Sequence, residues 1–216
     1  MKYFFLIAAL IISSTTAQAE VSIIAIAIPG LHQNDGNGEY DQIIRKSVVD
    51  KGLASIGVLP PSRAEQKFES CTNCCLSPAN TNKDFYDFGT DVLVSKPMST
   101  AKIYIFTAKE TAPLDSLDDL KGKKVGVRNG MPYGKTFDTA GLNTKSVSTI
   151  ELNINKLDSG RIDAMVSYVP DAYAAFESLG IPPFPHNKDK PIAVHPDSLV
   201  CKDVPQSFID TFNSSL

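Results

Sequence analysis

The chain has 216 residues, with 21 Lys and Arg against 24 Asp and Glu and a formal net charge of −3. This slight acidic excess, without any basic run, argues against a nucleic-acid-binding protein. Gly and Pro are spread along the sequence, so no low-complexity linker or tail is predicted. The length suits one domain or two small lobes, each able to bury a hydrophobic core.

The N-terminus has the pattern of a secretory signal peptide. Lys2 precedes an unbroken apolar run, Tyr3–Ile12, and a polar stretch then leads to Ala17-Gln18-Ala19, a small-x-small cleavage site. The alternative is a membrane anchor, but ten apolar residues are about half of the ~20 needed to span a bilayer. We expect residues 1–19 to be removed and the mature chain, from Glu20, to be periplasmic.

Strand and helix patterns alternate through the first third of the mature chain. β-rich apolar runs are separated by segments with helical spacing, and this order predicts parallel strand pairing. The predicted elements are a strand at Val21–Ile28, a helix at Tyr40–Lys51, a strand at Ser55–Leu59, a helix from Pro60 to about Ser70 and a strand at Cys74–Leu76.

The same alternation recurs further along, which predicts a second α/β unit. Its elements are a strand at Lys123–Arg128, a helix from Pro132 to Thr139, a weak strand at Ser146–Thr149, a helix at Ile150–Asp158, a strand at Arg161–Ser167 and a helix from Pro170 to Gly180.

Two extended segments, Lys102–Thr107 and Pro191–Val194, flank this second unit, and a last helix follows around Gln206–Ser214. The chain is therefore expected to leave one lobe, build a second and return, with two crossing strands as a hinge. The predicted fold is two-lobed α/β, each lobe a mostly parallel sheet flanked by helices. Residues 20–104 with 192–216 would form lobe one, and residues 105–191 lobe two.

Two motifs resemble a known family. Leu117–Gly130 (LDDLKGKKVGVRNG) is similar to the entry into the second lobe of the extracellular solute-binding proteins of family 3, the amino-acid-type receptors of ABC importers. Leu157–Val166 (LDSGRIDAMV) resembles a later motif of that family, Asp87-Phe88 stands where the family often has an Asp-Phe pair, and Phe208–Leu216 resembles its closing helix. The resemblance implies a type II periplasmic binding protein fold, ligand capture without catalysis or cofactor, a monomer, and delivery of a small molecule to an inner-membrane ABC permease.

The sequence departs from that family at its charged ligand contacts. The amino-acid binders carry an Arg in a T-x-x-R turn before the Asp-Phe pair, but here the turn is Asn80-Thr81-Asn82-Lys83. The family's amine-binding Asp falls on Tyr168. A site without a bidentate Arg loses the geometry that favours carboxylates. The ligand therefore stays open among amino-acid-like molecules, organic acids and amines.

The candidate ligand-binding residues follow the carboxyl ends of the predicted strands, where open parallel sheets bind ligands. Ordinary turn chemistry is the alternative explanation for the Gly, Pro, Ser and Asn found there. Tyr133 and Tyr168 can stack on a ligand and donate one hydrogen bond each. The candidates are Leu31, Tyr40, Ser77, Asn80, Thr81, Gly130, Met131, Tyr133, Gly134, Tyr168 and Asp171.

Four cysteines in an exported chain first indicate disulfides, although free buried thiols and a zinc site with His195 are alternatives. The favoured pair is Cys75–Cys201, because both cysteines lie in the predicted lobe one, and Cys71–Cys74 is the second choice. The histidines show no metal spacing, and His32 is expected to be a solvated loop residue.

Two other functions are compatible with the sequence. One is a ligand-sensing periplasmic module for a membrane receptor. The other is a dehydratase-like enzyme on the same fold, which would need a general acid at the cleft. The strand-end loops offer only Asp171 for that role, with Asp35 and Glu39 further along the first loop region, and neither a Ser–His–Asp nor a Cys–His set is present.

Overall fold

A computed structural model describes residues 19–216. The predicted signal peptide, apart from Ala19, lies outside the described residues. No helix within residues 19–216 is both long and apolar enough to cross a bilayer.

The first lobe is built on a sheet in which β1 is central. β1 (Val21–Ile26) pairs in parallel with β2 (Ala54–Leu59) and with β3 (Cys74–Ala79), as the alternating pattern predicts. The connecting helices are α1 (Glu39–Ile44), which continues as a π-helical segment over Arg45–Val49, and α2 (Pro61–Ser70). Alternate strand residues pack against helices on opposite faces, so the sheet lies between two apolar layers.

The second lobe repeats this plan. β6 (Lys124–Arg128) pairs in parallel with β7 (Asn143–Val147) and with β8 (Ala164–Val169). Its helices are α3 (Lys135–Asp138), α4 (Ile150–Asp158) and α5 (Asp171–Ser178).

Two long antiparallel strands connect the lobes. β5 (Ser99–Thr107) pairs with β8, and β9 (Ala193–Lys202) pairs through its first half with β5. From Ser198 onward β9 pairs instead with β3, and the short β4 (Leu93–Val94) lies on its other side. β9 therefore passes from one sheet into the other, and α6 (Gln206–Asn213) closes the chain on the first lobe. The predicted two-lobed architecture with a two-strand hinge is confirmed; the residues at which the lobes divide stay a prediction.

Two local predictions were wrong. The helix expected from Pro132 begins only at Lys135, because Gly134 has a φ of 95° and the Lys135 N–H donates to the Asp84 carbonyl instead. The weak strand expected at 146–149 lies earlier, as β7. Its residues, NTKSV, are polar and mostly exposed. Its position is therefore fixed by pairing with β6 and not by apolar content.

Both cysteine pairs are bridged. Cys75 on β3 is linked to Cys201 on β9, its register partner in the antiparallel ladder. Cys71, just after α2, is linked to Cys74 at the start of β3. No free cysteine lies between residues 19 and 216, and no cluster of three metal-ligating side chains occurs in that range.

Candidate functional site

A narrow cavity lies between the two lobes. The first lobe contributes the end of β1, the following loop, β3 and Tyr86; the second contributes Met131 and the β8–α5 junction; the crossing strands form the floor. The enclosed free space is small, with room for about one water-sized sphere. The lining residues are Ile26, Ile28, Leu31, Pro78, Tyr86, Ala101, Met131, Tyr168, Asp171, His195 and Asp197.

The floor of the cavity carries a buried ionisable pair. His195 and Asp197 are two residues apart on β9, so both side chains point to the same side of the strand. The His195 Nδ1 lies 2.6 Å from an Asp197 carboxylate oxygen, and the Tyr40 hydroxyl donates to the other oxygen, also at 2.6 Å. Burial and the nearby Asp197 carboxylate raise the pKa of Tyr40 well above its ordinary value, so this hydroxyl keeps its proton.

Aromatic rings surround the His195 imidazole. The rings of Phe85, Tyr86 and Tyr168 lie edge-on to it, with centroid distances of 5.0, 5.7 and 5.7 Å. The Tyr86 hydroxyl is 3.3 Å from His195 Nε2, and the Tyr168 hydroxyl donates to the Pro132 carbonyl. Residues from both lobes thus contact one imidazole on the hinge strand.

Asp171 contributes the second carboxylate of the cavity. It is the first residue of α5 and is 2% exposed. Burial, with a smaller effect of Asp197, raises the pKa of its carboxyl to about 7. Its own backbone N–H and Arg128 favour the ionised form and partly offset this rise. At neutral pH this carboxyl is therefore about half ionised.

Direct contacts hold the lobes together beside the cavity. The Arg128 Nη2 donates to the Ala27 carbonyl of the first lobe at 2.7 Å, and the Lys135 N–H donates to the Asp84 carbonyl at 2.8 Å. The Arg128 Nη1 is buried without a hydrogen-bond partner among the described residues. Burial lowers the pKa of Arg128, although Asp171 opposes this effect.

A second buried histidine organises the loop after β1. His32 Nδ1 lies 2.7 Å from Asp41 and its Nε2 lies 2.9 Å from the Ser77 hydroxyl. Burial opposes ionisation of Asp41, but hydrogen bonds from His32 and two backbone N–H groups outweigh it and lower the pKa of that carboxyl. The expectation of a solvated His32 was wrong: the side chain is buried and supports the loop that carries Leu31.

Of the eleven predicted ligand-binding residues, Leu31, Met131, Tyr168 and Asp171 line the cavity. Tyr40 lies one layer behind and reaches the site through Asp197.

The remaining candidates lie outside the cavity lining. The Asn80 side chain bonds to the Asn82 N–H and the Pro196 carbonyl, and Ser77 contacts His32. Thr81 is exposed. Tyr133 is buried behind Tyr168, where its hydroxyl accepts the Arg128 N–H.

The two candidate glycines lie where the lobes approach each other. A Cβ at Gly130 would come within 2.6 Å of the Ser62 backbone N, and Gly134 faces Asp84.

Sequence reasoning missed His195, Asp197, Tyr86 and Arg128. The available signal was a His-x-Asp pair directly after the extended segment at 191–194, because such spacing on a strand places both side chains on one face. Tyr86 lies beside the Asp-Phe motif, and Arg128 ends the strand of the first motif.

No protein-family model matches the chain. A curated relative, the probable amino-acid-binding protein YxeM of Bacillus subtilis, is 29% identical over 104 residues, which is 46% of this chain. The matched stretch spans only 37% of that relative's length.

Solved structures resemble nearly the whole described chain. The GluR0 ligand-binding core in complex with L-glutamate aligns with a TM-score of 0.75 at 12% identity, covering 92% of this chain and 91% of that one. An ancestral arginine-binding protein bound to glutamine aligns with a TM-score of 0.67 at 18% identity, covering 92% and 90%. Holo ArgBP from T. maritima aligns with a TM-score of 0.66 at 16% identity, covering 90% and 88%. The chain therefore has the two-lobed fold of the type II periplasmic binding proteins.

Proposed function

We propose that the protein is a periplasmic solute-binding protein that captures a small polar molecule between its lobes and delivers it to an inner-membrane ABC permease. It acts as a monomer after removal of residues 1–19 and catalyses no reaction. Lobe one comprises residues 20–104 and 192–216, and lobe two comprises residues 105–191.

One observation carries this proposal: the cavity with ionisable and aromatic side chains lies between the lobes and is lined by both. A molecule held there contacts residues of both lobes at once. Its binding energy therefore favours the closed conformation. The similar GluR0 ligand-binding core and ancestral arginine-binding protein have this fold and were solved with L-glutamate and glutamine, which supports the same use of the cleft.

The test combines a ligand search with a structural readout. Native mass spectrometry of protein purified from the periplasm identifies a retained ligand, and a thermal-shift screen covers amino acids, small peptides, organic acids and amines. At a hundredfold excess over the dissociation constant, binding should stabilise the protein by about 2.7 kcal/mol. Tyr168→Ala should abolish most of this shift. Tyr173→Ala, which alters a tyrosine outside the cavity lining, is the control.

Asp171 gives one alternative a specific basis. A dehydratase-like enzyme needs a general acid at the cleft, and a buried carboxyl with a pKa of about 7 meets that requirement. Incubating the protein with its ligand and following the mixture by NMR separates the two functions. Unchanged ligand supports capture, whereas product formation that Asp171→Asn abolishes would establish the enzyme.

The sensing alternative shares the same cleft and differs in the membrane partner. Cross-linking in intact cells should capture an ABC permease; a captured receptor kinase or cyclase would instead establish sensing.

A further inference from the structure

We infer that the cleft selects a compact organic cation, an amine or quaternary ammonium compound with a small apolar body and no carboxylate. This inference rests on the proposed function and names the ligand class of the same site. It departs from the α-amino acids that the sequence resemblance implies.

The charge of the cavity lining is the first argument. The lining contains the carboxylates of Asp171 and Asp197, and its only group able to carry a positive charge is the His195 imidazole. With both carboxylates ionised, the lining has a net charge of −2 when His195 is neutral and −1 when it is protonated. An anionic ligand would meet a like charge in either state, whereas a cation would be attracted.

Neither Arg128 nor Lys83 lines this cavity, although the buried Arg128 Nη1 has no hydrogen-bond partner among the described residues. The Arg128 Nη2 and Nε donate to the carbonyls of Ala27 and Ser148. Lys83 occupies the turn in which the amino-acid binders carry their Arg, and it is exposed. An α-amino acid would thus lose the charged partner for its carboxylate, and burial of an unpaired charge is costly.

Asp171 is the group best placed to receive a cation. Among the described residues, its own backbone N–H is the only hydrogen-bond donor that favours its ionised form, so the carboxylate retains acceptor capacity toward the cavity. Asp197, in contrast, already accepts from Tyr40 and faces His195. A ligand ammonium beside Asp171 would form a charge-assisted interaction in a site shielded from water.

The walls suit the body of such a ligand. Tyr86 and Tyr168 line the cavity, and Ile28, Leu31 and Met131 complete an apolar surround. Aromatic faces attract organic cations, and apolar walls bind the attached carbon atoms. The narrow cavity favours a compact body.

Matched probes test the charge requirement. Isothermal titration calorimetry at pH 8 compares choline with its neutral isostere 3,3-dimethyl-1-butanol, and n-butylammonium with n-butanol, butyrate and γ-aminobutyrate. At least one cation should bind ten times or more tightly than its neutral isostere and its carboxylate-bearing counterparts. Asp171→Asn should weaken cation binding at least tenfold and change binding of the neutral isostere less than twofold.

Asp158→Asn is the control variant, because it removes the same charge from an exposed position on α4 that pairs with Lys109. It should leave every affinity within twofold. Equal or tighter binding of butyrate, γ-aminobutyrate or a retained α-amino acid would overturn the inference while leaving the proposed capture function intact. If no probe binds and native mass spectrometry finds no retained ligand, both the inference and the proposed function are rejected.

Discussion

His195 Nδ1 lies 2.6 Å from an Asp197 carboxylate oxygen, on the strand that passes from one lobe into the other. Each residue is 2% exposed, and the pair forms the floor of the cleft. The connection between the lobes and the floor of the cavity are therefore one segment of chain, so a change of charge in the cavity acts directly on a strand that joins the lobes.

The hydrogen bond from Tyr40 to Asp197 should make α1 and the hinge strand energetically dependent on each other. Asp197→Asn removes a buried charge that faces His195 and should cost about 3 kcal/mol in the free energy of unfolding. Tyr40→Phe should cost about 1–2 kcal/mol. The Asn side chain can still accept from Tyr40 but without the carboxylate charge, so the double variant should deviate from additivity by about 1 kcal/mol in urea denaturation.

Tyr173→Phe provides the control for this cycle. It also removes a partly buried tyrosine hydroxyl, but one that contacts His186 rather than Asp197. Combined with Asp197→Asn, its effect should be additive. A similar deviation in both cycles would show that the Tyr40 contact has no special role.

Asp171 should make the ligand-free protein less stable as the pH rises. Its folded pKa of about 7 exceeds the ordinary value of 3.8, so the unfolded chain releases this proton first and stability falls between about pH 4 and pH 7. The full cost above pH 7 is about 4 kcal/mol by linkage. The charged groups that act on this carboxyl are Arg128 from β6 and Asp197 from β9, the first favouring its ionisation and the second opposing it.

Asp171→Asn removes this titration, so the stability gained over the wild type should be small at pH 4.5 and should grow until about pH 7. Chemical denaturation at several pH values measures the difference. Asp158→Asn should show no such growth. A constant difference across the pH range would mean that Asp171 ionises normally in the fold.

The two disulfides should contribute unequally to stability. The Cys75–Cys201 bridge closes a separation of 126 residues and the Cys71–Cys74 bridge a separation of three. On the chain-entropy model these loops correspond to about 5 and about 2 kcal/mol. Replacing both cysteines of each pair with alanine and measuring unfolding by urea compares them; equal losses would contradict the loop-length argument.

Much of the fold was predictable because local patterns determine it. Apolar runs located β1, β6 and the start of β3, although β3 continues through Pro78 to Ala79, and the capped, periodic segment at 150–158 located α4. The start of α3 was not predictable, because it depends on the contact of Lys135 with Asp84 in the other lobe.

The candidate site was only partly predictable for a related reason. Residues at strand ends, such as Tyr168 and Asp171, could be found from the sheet rule. His195 and Asp197 lie inside a strand instead, and they reach the cleft because β9 passes between the sheets. Tyr133 and Tyr168 could not be ranked from sequence, since only packing places one in the cavity and the other behind it.

The close approach of Gly130 to α2 allows a test of whether ligand binds while these two segments are in contact. A Cβ at Gly130 would lie 2.6 Å from the Ser62 backbone N across the lobe interface, and backbone at that distance cannot yield as a flexible side chain can. Gly130→Ala should therefore disfavour closure and shift the protein toward a more open form.

Gly141→Ala isolates that effect. Gly141 lies in the same lobe with a φ of +67°, close to the +74° of Gly130, but a Cβ there meets nothing within 4 Å. Both substitutions thus impose a similar backbone strain of about 1 kcal/mol on the ligand-free protein. Affinity falls in proportion to the population of the binding-competent state, so Gly130→Ala should weaken binding of the ligand found in the screen at least tenfold, and Gly141→Ala less than twofold. Small-angle scattering at saturating ligand should give a larger radius of gyration for Gly130→Ala alone. Equal affinities in the two variants would mean that contact between Gly130 and Ser62 does not accompany ligand capture.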